Sequence, residues 1–276
     1  MNGIGELFLA LTPRLGVLVL VLGRVGGLIM TAPLLGAQIV PVRVRASLVL
    51  FLGFAIHHHV AVDPASAALA GTIFAGENGA GPSGIAFLIS LGIEIGVGAL
   101  LGIIAQFLFA GVQMAGQLAG IQMGLGMSNL IDPQFQAQVT SIALWQNLLA
   151  LLLFLAVDGH HVLIRAVAES FRVMPAGADL FGAGGLRYTA ALGGEMFVVA
   201  MKISAPVLIL VLMLNGAMGA LTKLIPQLNV MVVGFGLNVA AGFFVLVASQ
   251  PFTVRFLEHS FGELDVQLAR LMDFLV

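Results

Sequence analysis

Residues 85–130 run IAFLISLGIEIGVGALLGIIAQFLFAGVQMAGQLAGIQMGLGMSNL, an apolar stretch whose first half is interrupted only by Glu94, Gln106 and small residues. About 20 helical residues suffice to cross a bilayer, so this run is more than long enough to do so. Four further apolar stretches reach a similar length: Val42 to Val62, Val139 to Val157, Ala190 to Leu214 and Val230 to Ser249. Of the 276 residues, 60% are hydrophobic and 9% are Asp, Glu, Lys or Arg. An ordinary soluble domain carries about 25% charge, so this chain could not coat itself against water. The expected fold is all-α: a multi-helix, integral membrane-type protein forming one domain over 1–276, with residues 251–276 as a C-terminal amphipathic helix.

The second half of the opening stretch adds Gln113, Gln117, Gln122 and Asn129 to Met114, Met123 and Met127. Gln106, Gln113 and Gln117 are spaced by seven and four, which stacks them on one face of a continuous helix. Amides in hydrocarbon need partners. That face therefore either lines a wet passage or meets another subunit, or else it is satisfied within one bundle. Gly92 with Gly96, Gly98 with Gly102, and the series Gly116, Gly120 and Gly124 are each spaced by four, which strips a helix face of bulk and permits close helix packing. The methionines, with Phe107 and Phe109, are either core filler or a conformable apolar seal, since the unbranched thioether adapts to varied shapes.

Toward the N-terminus, Met1 to Glu6 offers no basic region before the first apolar run, which continues to about Leu35 without a small-residue cleavage site. It reads as a retained helix. Arg24 lies within that run, and a lone arginine there must reach an interface or face other protein. Pro33 and Pro41 bracket a short turn ending in Arg43 and Arg45. Gly71 to Gly84 is loop material, and Asp132-Pro133 is expected to end the central helix.

Toward the C-terminus, Arg165, Glu169 and Arg172 give an amphipathic segment, and Glu195 and Lys202 precede Pro206, which is expected to bend its helix. Lys223 to Asn229 separates the last two long apolar helices. After Pro251, Leu257, Phe261, Leu264, Leu268 and Leu271 recur at threes and fours, the pattern of a helix that docks on a surface. If the central stretch traverses the bilayer, Arg43, Arg45, Arg165, Arg172, Arg187, Arg255 and Arg270 fall on one side.

Several chemistries are not supported. The net charge of -2 argues against a nucleic-acid partner. Without cysteine there are no disulfides and no thiolate sites. His57, His58 and His59 are consecutive, so on a helix they point about 100° apart and cannot all converge on one metal. Asp158, His160 and His161 lack a nucleophile motif and read as a helix end rather than an acid-base site. No phosphate loop with its lysine is present, so no nucleotide or other cofactor is expected, and neither is catalysis.

The central residues also resemble a known family. Ala32-Pro33, Gly36, Pro41, Arg43 and Arg45 come first. Gln113, Gly116, Gly120, Gln122, Met123, Gly124, Met127 and Asp132-Pro133 follow, then Asp158, Gly159 and His160, and finally Pro226, Gln227, Leu228, Asn229, Val230, Val233, Gly234 and Phe235. In this order and spacing they are similar to the FliR family, membrane components of the flagellar type III export apparatus. Met231 and Gly236 depart from the pattern, where phenylalanine and proline are common, and the last kink is expected to differ accordingly.

The resemblance implies kinked helical hairpins in which a FliP-like unit is joined to a FliQ-like one. It implies a closed channel with FliP and FliQ, FlhB packed around it, and unfolded flagellar proteins as the cargo. It also implies a place in the bacterial inner membrane at the flagellar basal body, with much of the helical material above the membrane plane. By position, Phe107 to Met127 corresponds to the plug-forming region. Two other functions remain: the homologous subunit of a virulence injectisome, and a stand-alone small-molecule transporter.

Overall fold

The computed structural model describes residues 3–33, 35–36, 40–60, 84–125, 140–177, 183–224 and 230–275. Among these, all regular elements are helices: α1 (Gly3–Thr31), α2 (Val42–Val60), α3 (Gly84–Gln122), α4 (Ser141–Ala156), α5 (Gly159–Val173), α6 (Ala183–Leu224), α7 (Val230–Ala248), α8 (Gln250–Gly262) and α9 (Leu264–Leu275). By length and composition three of them could cross a membrane, over Arg14–Thr31, Phe87–Gln122 and Gly184–Leu224. The number rises to five if each of two bent helix pairs counts as one span. The fold is that of an all-α membrane protein, as its apolar stretches require. The expected loops at 71–83 and 132–138 and the break at 225–229 lie outside the described residues.

The chain groups into two compact units, each assembled from separated segments: Met1–Gln106, Asp158–Leu192 and Glu263–Val276 in the first, Phe107–Val157 and Gly193–Gly262 in the second. In the first unit α1 packs on α2 and α5, and α9 packs on α5. A seam of small residues brings α1 against the first part of α3. A Cβ added to Gly27 would lie 2.9 Å from the Ala99 nitrogen, and one added to Gly98 would lie 3.0 Å from the Leu28 nitrogen. One added to Gly102 would crowd Thr31, whose hydroxyl donates to the Ala99 carbonyl at 3.1 Å. At Gly27 and Gly98 backbone faces backbone, which cannot yield as a flexible side chain can.

In the second unit α4 packs on α8. Phe109, Phe154 and Phe261 bring α3, α4 and α8 together with ring centroids 5.4 to 5.5 Å apart. A neighbouring core is built from Ala119, Met123, Ile142, Val207, Val211 and Leu246.

Several expectations need correction. The central helix ends at Gln122, well short of Asp132-Pro133, because Gly124 takes a left-handed backbone (φ +87°) that L side chains avoid and that commonly ends helices. The C-terminal amphipathic stretch holds two helices, α8 and α9, separated by the single residue Glu263, which follows Gly262. The surface that α9 docks on belongs to the chain itself: Leu264, Leu268, Leu271 and Leu275 are buried, and Leu275 lies against Gly185 of α6. Outside these corrections, Pro206 lies within α6 and Gly236 within α7, so neither residue ends its helix.

The glycine seam makes a sharp contrast testable. Gly98→Val should destabilise the protein by about 2 kcal/mol or more, since overpacking typically costs 1–3. Gly92→Ala, whose added Cβ would meet nothing within 4 Å, should be neutral or slightly stabilising. Thermal midpoints in mild detergent check both, and equal losses would refute the seam.

Candidate functional site

The site anticipated from sequence is the second half of α3. Gly116 and Gly120 face the start of α4, where Thr140 sits at the N-cap with extended backbone (φ −66°, ψ 148°). The Thr140 hydroxyl donates to the Gly116 carbonyl at 3.2 Å and accepts from the Ala143 nitrogen at 3.3 Å. One side chain thus caps α4 and fastens it to α3. A Cβ on Gly120 would stand 2.8 Å from that same hydroxyl oxygen, and one on Gly116 would run into Ala143. Gly124 serves differently: its nitrogen donates to the Ile121 carbonyl at 2.9 Å as the helix closes, beside the Phe235 ring.

The amides lie on the outer parts of this helix. Gln106 and Gln122 are exposed and Gln113 and Gln117 are half-buried. None of the four hydrogen-bonds to another described residue. The apolar candidates divide. Met114 is half-buried, but Met123 is fully enclosed, with its side chain against Gly242 and within the second unit's core. Phe109 is buried in the aromatic trio, and Phe107 is half-buried beside Gly193. Met127, Asn129, Asp132 and Pro133 lie outside the described residues, as do Pro226, Gln227 and Asn229.

The remaining described motif residues lie mainly at turns and helix starts. Pro33 and Gly36 form the turn after α1, the Gly36 nitrogen donating to the Ala32 carbonyl at 2.8 Å. Pro41 precedes α2 and its carbonyl accepts from Val44 at 2.9 Å. Arg45 donates from Nε and Nη2 to the Val40 carbonyl at 3.1 and 3.0 Å, whereas Arg43 is exposed. Gly234 is buried in α7, near Met218. Asp158 is left-handed (φ 56°) at the start of α5, and its carboxylate pairs with His161 Nδ1 at 3.1 Å. Asp158, His160 and His161 present ligand atoms within 4.8 Å of one another, though the aspartate and His161 are exposed. His57 is half-buried in the last turn of α2.

A second polar centre lies in the first unit. Arg24, with no solvent exposure, donates from Nε to Glu94 Oε2 at 2.6 Å and from Nη1 to Ser170 Oγ at 2.9 Å. Its guanidinium carbon lies 3.9 Å from the centroid of the Phe171 ring. Glu94 Oε1 accepts from the Gly177 nitrogen at 2.9 Å. The arrangement ties α1, α3, α5 and the turn after α5 around one ion pair.

Residues 15–264 match the family described as bacterial export proteins, family 1. The chain belongs to that family. Among its relatives, the flagellar biosynthetic protein FliR of Escherichia coli (strain K12) is 32% identical over 253 residues, covering 91% of each chain. FliR of Bacillus subtilis (strain 168) is 37% identical over 154 residues, 55% of this chain and 60% of that one. FliR of Aquifex aeolicus (strain VF5) is 27% identical over 230 residues, 83% of each.

In this export-family member, sequence reasoning placed Arg24 against protein and noted Glu94, but it did not join them. The usable signal was scarcity: Glu94 is the one charged residue of α3 and Arg24 the one charged residue of α1 after Arg14, so each has few partners to choose from. Arg24→Ala should cost about 3–5 kcal/mol, because it strands a buried carboxylate. The double replacement Arg24→Met with Glu94→Leu should recover most of that loss. Thermal midpoints of the three proteins in detergent decide it, and a double variant no better than the single would remove the ion pair as the cause.

Proposed function

We propose that the chain is a core subunit of the flagellar type III protein export gate, completing with FliP and FliQ a channel that passes unfolded flagellar proteins, with FlhB packed around it. The observation carrying this reading is the match over residues 15–264 to the export family, together with a relative named flagellar biosynthetic protein FliR that is matched over 91% of the chain. The same names favour a flagellar system over an injectisome. The proposed location is the bacterial inner membrane within the flagellar basal body, and the work done is passage rather than catalysis.

Physical features support an assembly. Along α6 and α7, Leu212, Met213, Leu224, Val232, Phe244 and Val247 are each between 65% and 76% exposed. Lipid or partner helices must cover such side chains. The four glutamines of α3 have no amide partner among the described residues, which fits a wet lumen or a neighbouring subunit better than a self-sufficient bundle.

The gating role is proposed for Met114 and Met127, with Gln106, Gln113 and Gln117 lining or bracing the passage. Met123 contributes to the seal by holding the helix end in its core. Replacing Met114 and Met127 together with alanine should raise ion leak through the resting assembled complex. Met123→Ala should instead lower stability by about 2–5 kcal/mol through the cavity it leaves. Conductance of reconstituted complexes and thermal midpoints separate the two effects, and an unchanged leak would count against the seal.

The subunit reading has its own test. Gentle purification of the tagged chain should recover FliP- and FliQ-type partners, and deletion of its gene should abolish swimming and filament assembly. A lone, monodisperse chain that moves a metabolite across vesicle membranes would overturn it.

A further inference from the structure

In the first unit a cleft of about 580 Å³ opens between the last turn of α2 and the outward side of α5. Its floor is apolar: Ile56, Val60 and Phe171 line it, and all three are buried. The same phenylalanine ring carries the Arg24 guanidinium. The rim is charged, with Arg165 and Arg172 both exposed and both lining the cleft. Seven residues apart on one helix, they share a face at a separation of about two turns. Neither forms an ion pair or a hydrogen bond with any described residue. Glu169 lies between them in sequence and also lines the cleft, as does His59. Two guanidiniums against one carboxylate leave the rim cationic.

We propose that this cleft binds an anionic phospholipid, with the phosphate held at the Arg165–Arg172 rim and the upper acyl chain lying over Ile56, Val60 and Phe171. The ligand must satisfy two surfaces together. A free inorganic anion would satisfy the arginines but leave the apolar floor wet, and a neutral lipid would cover the floor but leave the guanidiniums without a counter-charge. Arginine suits a phosphate because its planar fork can donate two hydrogen bonds to neighbouring oxygens. The volume is that of a small-ligand site, enough for a headgroup and part of one chain. The helices long enough to cross a membrane place the chain among lipids, and basic residues close to a bilayer surface recruit acidic headgroups.

The test uses the full chain, purified with its co-purifying subunits in mild detergent and supplied with phosphatidylglycerol or phosphatidylcholine. Native mass spectrometry should show about a thirty-fold preference for retained phosphatidylglycerol, the size expected when two arginines meet one acidic headgroup. The thermal midpoint should rise with that lipid alone. Arg165→Gln with Arg172→Gln should bring the preference close to parity, whereas Arg270→Gln, an exposed arginine on α9, should leave it intact. A double variant with undiminished preference overturns the proposal. So does displacement of the lipid by millimolar inorganic phosphate, which would make the cleft a simple anion site. A photo-crosslinking residue at Ala168, which also lines the cleft, should label lipid. Labelling of a partner polypeptide instead would make this surface a subunit contact and overturn the lipid assignment.

Discussion

A guanidinium cut off from water persists in an apolar helix only where another group takes over the role of its hydration shell. Here Glu94, the Ser170 hydroxyl and the face of the Phe171 ring supply most of it, while Nη2 is buried with no hydrogen-bond partner among the described residues. Burying both ions carries a desolvation penalty of several kcal/mol each, which good geometry and extra hydrogen bonds offset rather than exceed. Such a pair therefore adds less to stability than to selection. If α1 slipped by a turn against α3, both charges would be stranded, whereas an all-leucine contact would tolerate the slip. The glycine seam supplies the complementary half. Gly27, Gly98 and Gly102 let the two backbones approach, and the ion pair fixes the register at which they do so.

This division explains what the amino-acid sequence could and could not disclose. The long apolar helices were legible, because with so little charge each run is bounded by the few residues that break it. Arg24 was legible as a misfit, but its partner was not, since Glu94 is 70 residues away and pairing is a property of the packed state. A spacing of four marked several glycine faces alike. In the packed chain Gly98 meets the backbone of α1, while Gly92 in a neighbouring register meets nothing. Periodicity shows that a face is smooth, and only the tertiary arrangement shows which smooth face is used.

The candidate site was legible to a similar depth. Gly116 and Gly120 stand where close approach was expected, but their neighbour Thr140 carries no sequence pattern that links it to them. Methionine is equally at home in a core and in a flexible seal, so composition could not separate Met123, which is fully enclosed, from Met114, which is half-buried. The left-handed turn at Gly124 could not be distinguished from another packing glycine, because residue identity allows both uses and only the backbone angle decides. The C-terminal pattern likewise gave the apolar stripe correctly while hiding its break, since a stripe at threes and fours survives a one-residue interruption.

What remains unsatisfied within the chain is as informative as what is satisfied. Although Arg24 Nη2 is left without a partner, Arg24, Glu94 and Ser170 of the first unit meet one another in its interior. The glutamines of α3 do not, and the outer faces of α6 and α7 leave bulky apolar side chains uncovered. In water the second condition would drive aggregation, and in hydrocarbon the first would be costly. A setting that relieves both must offer apolar cover on one side and polar or aqueous contact on the other. A helical assembly around a hydrated passage has that character, and a solitary bundle in lipid does not. The solvation of these groups supports the assembly proposed above for this export-family member.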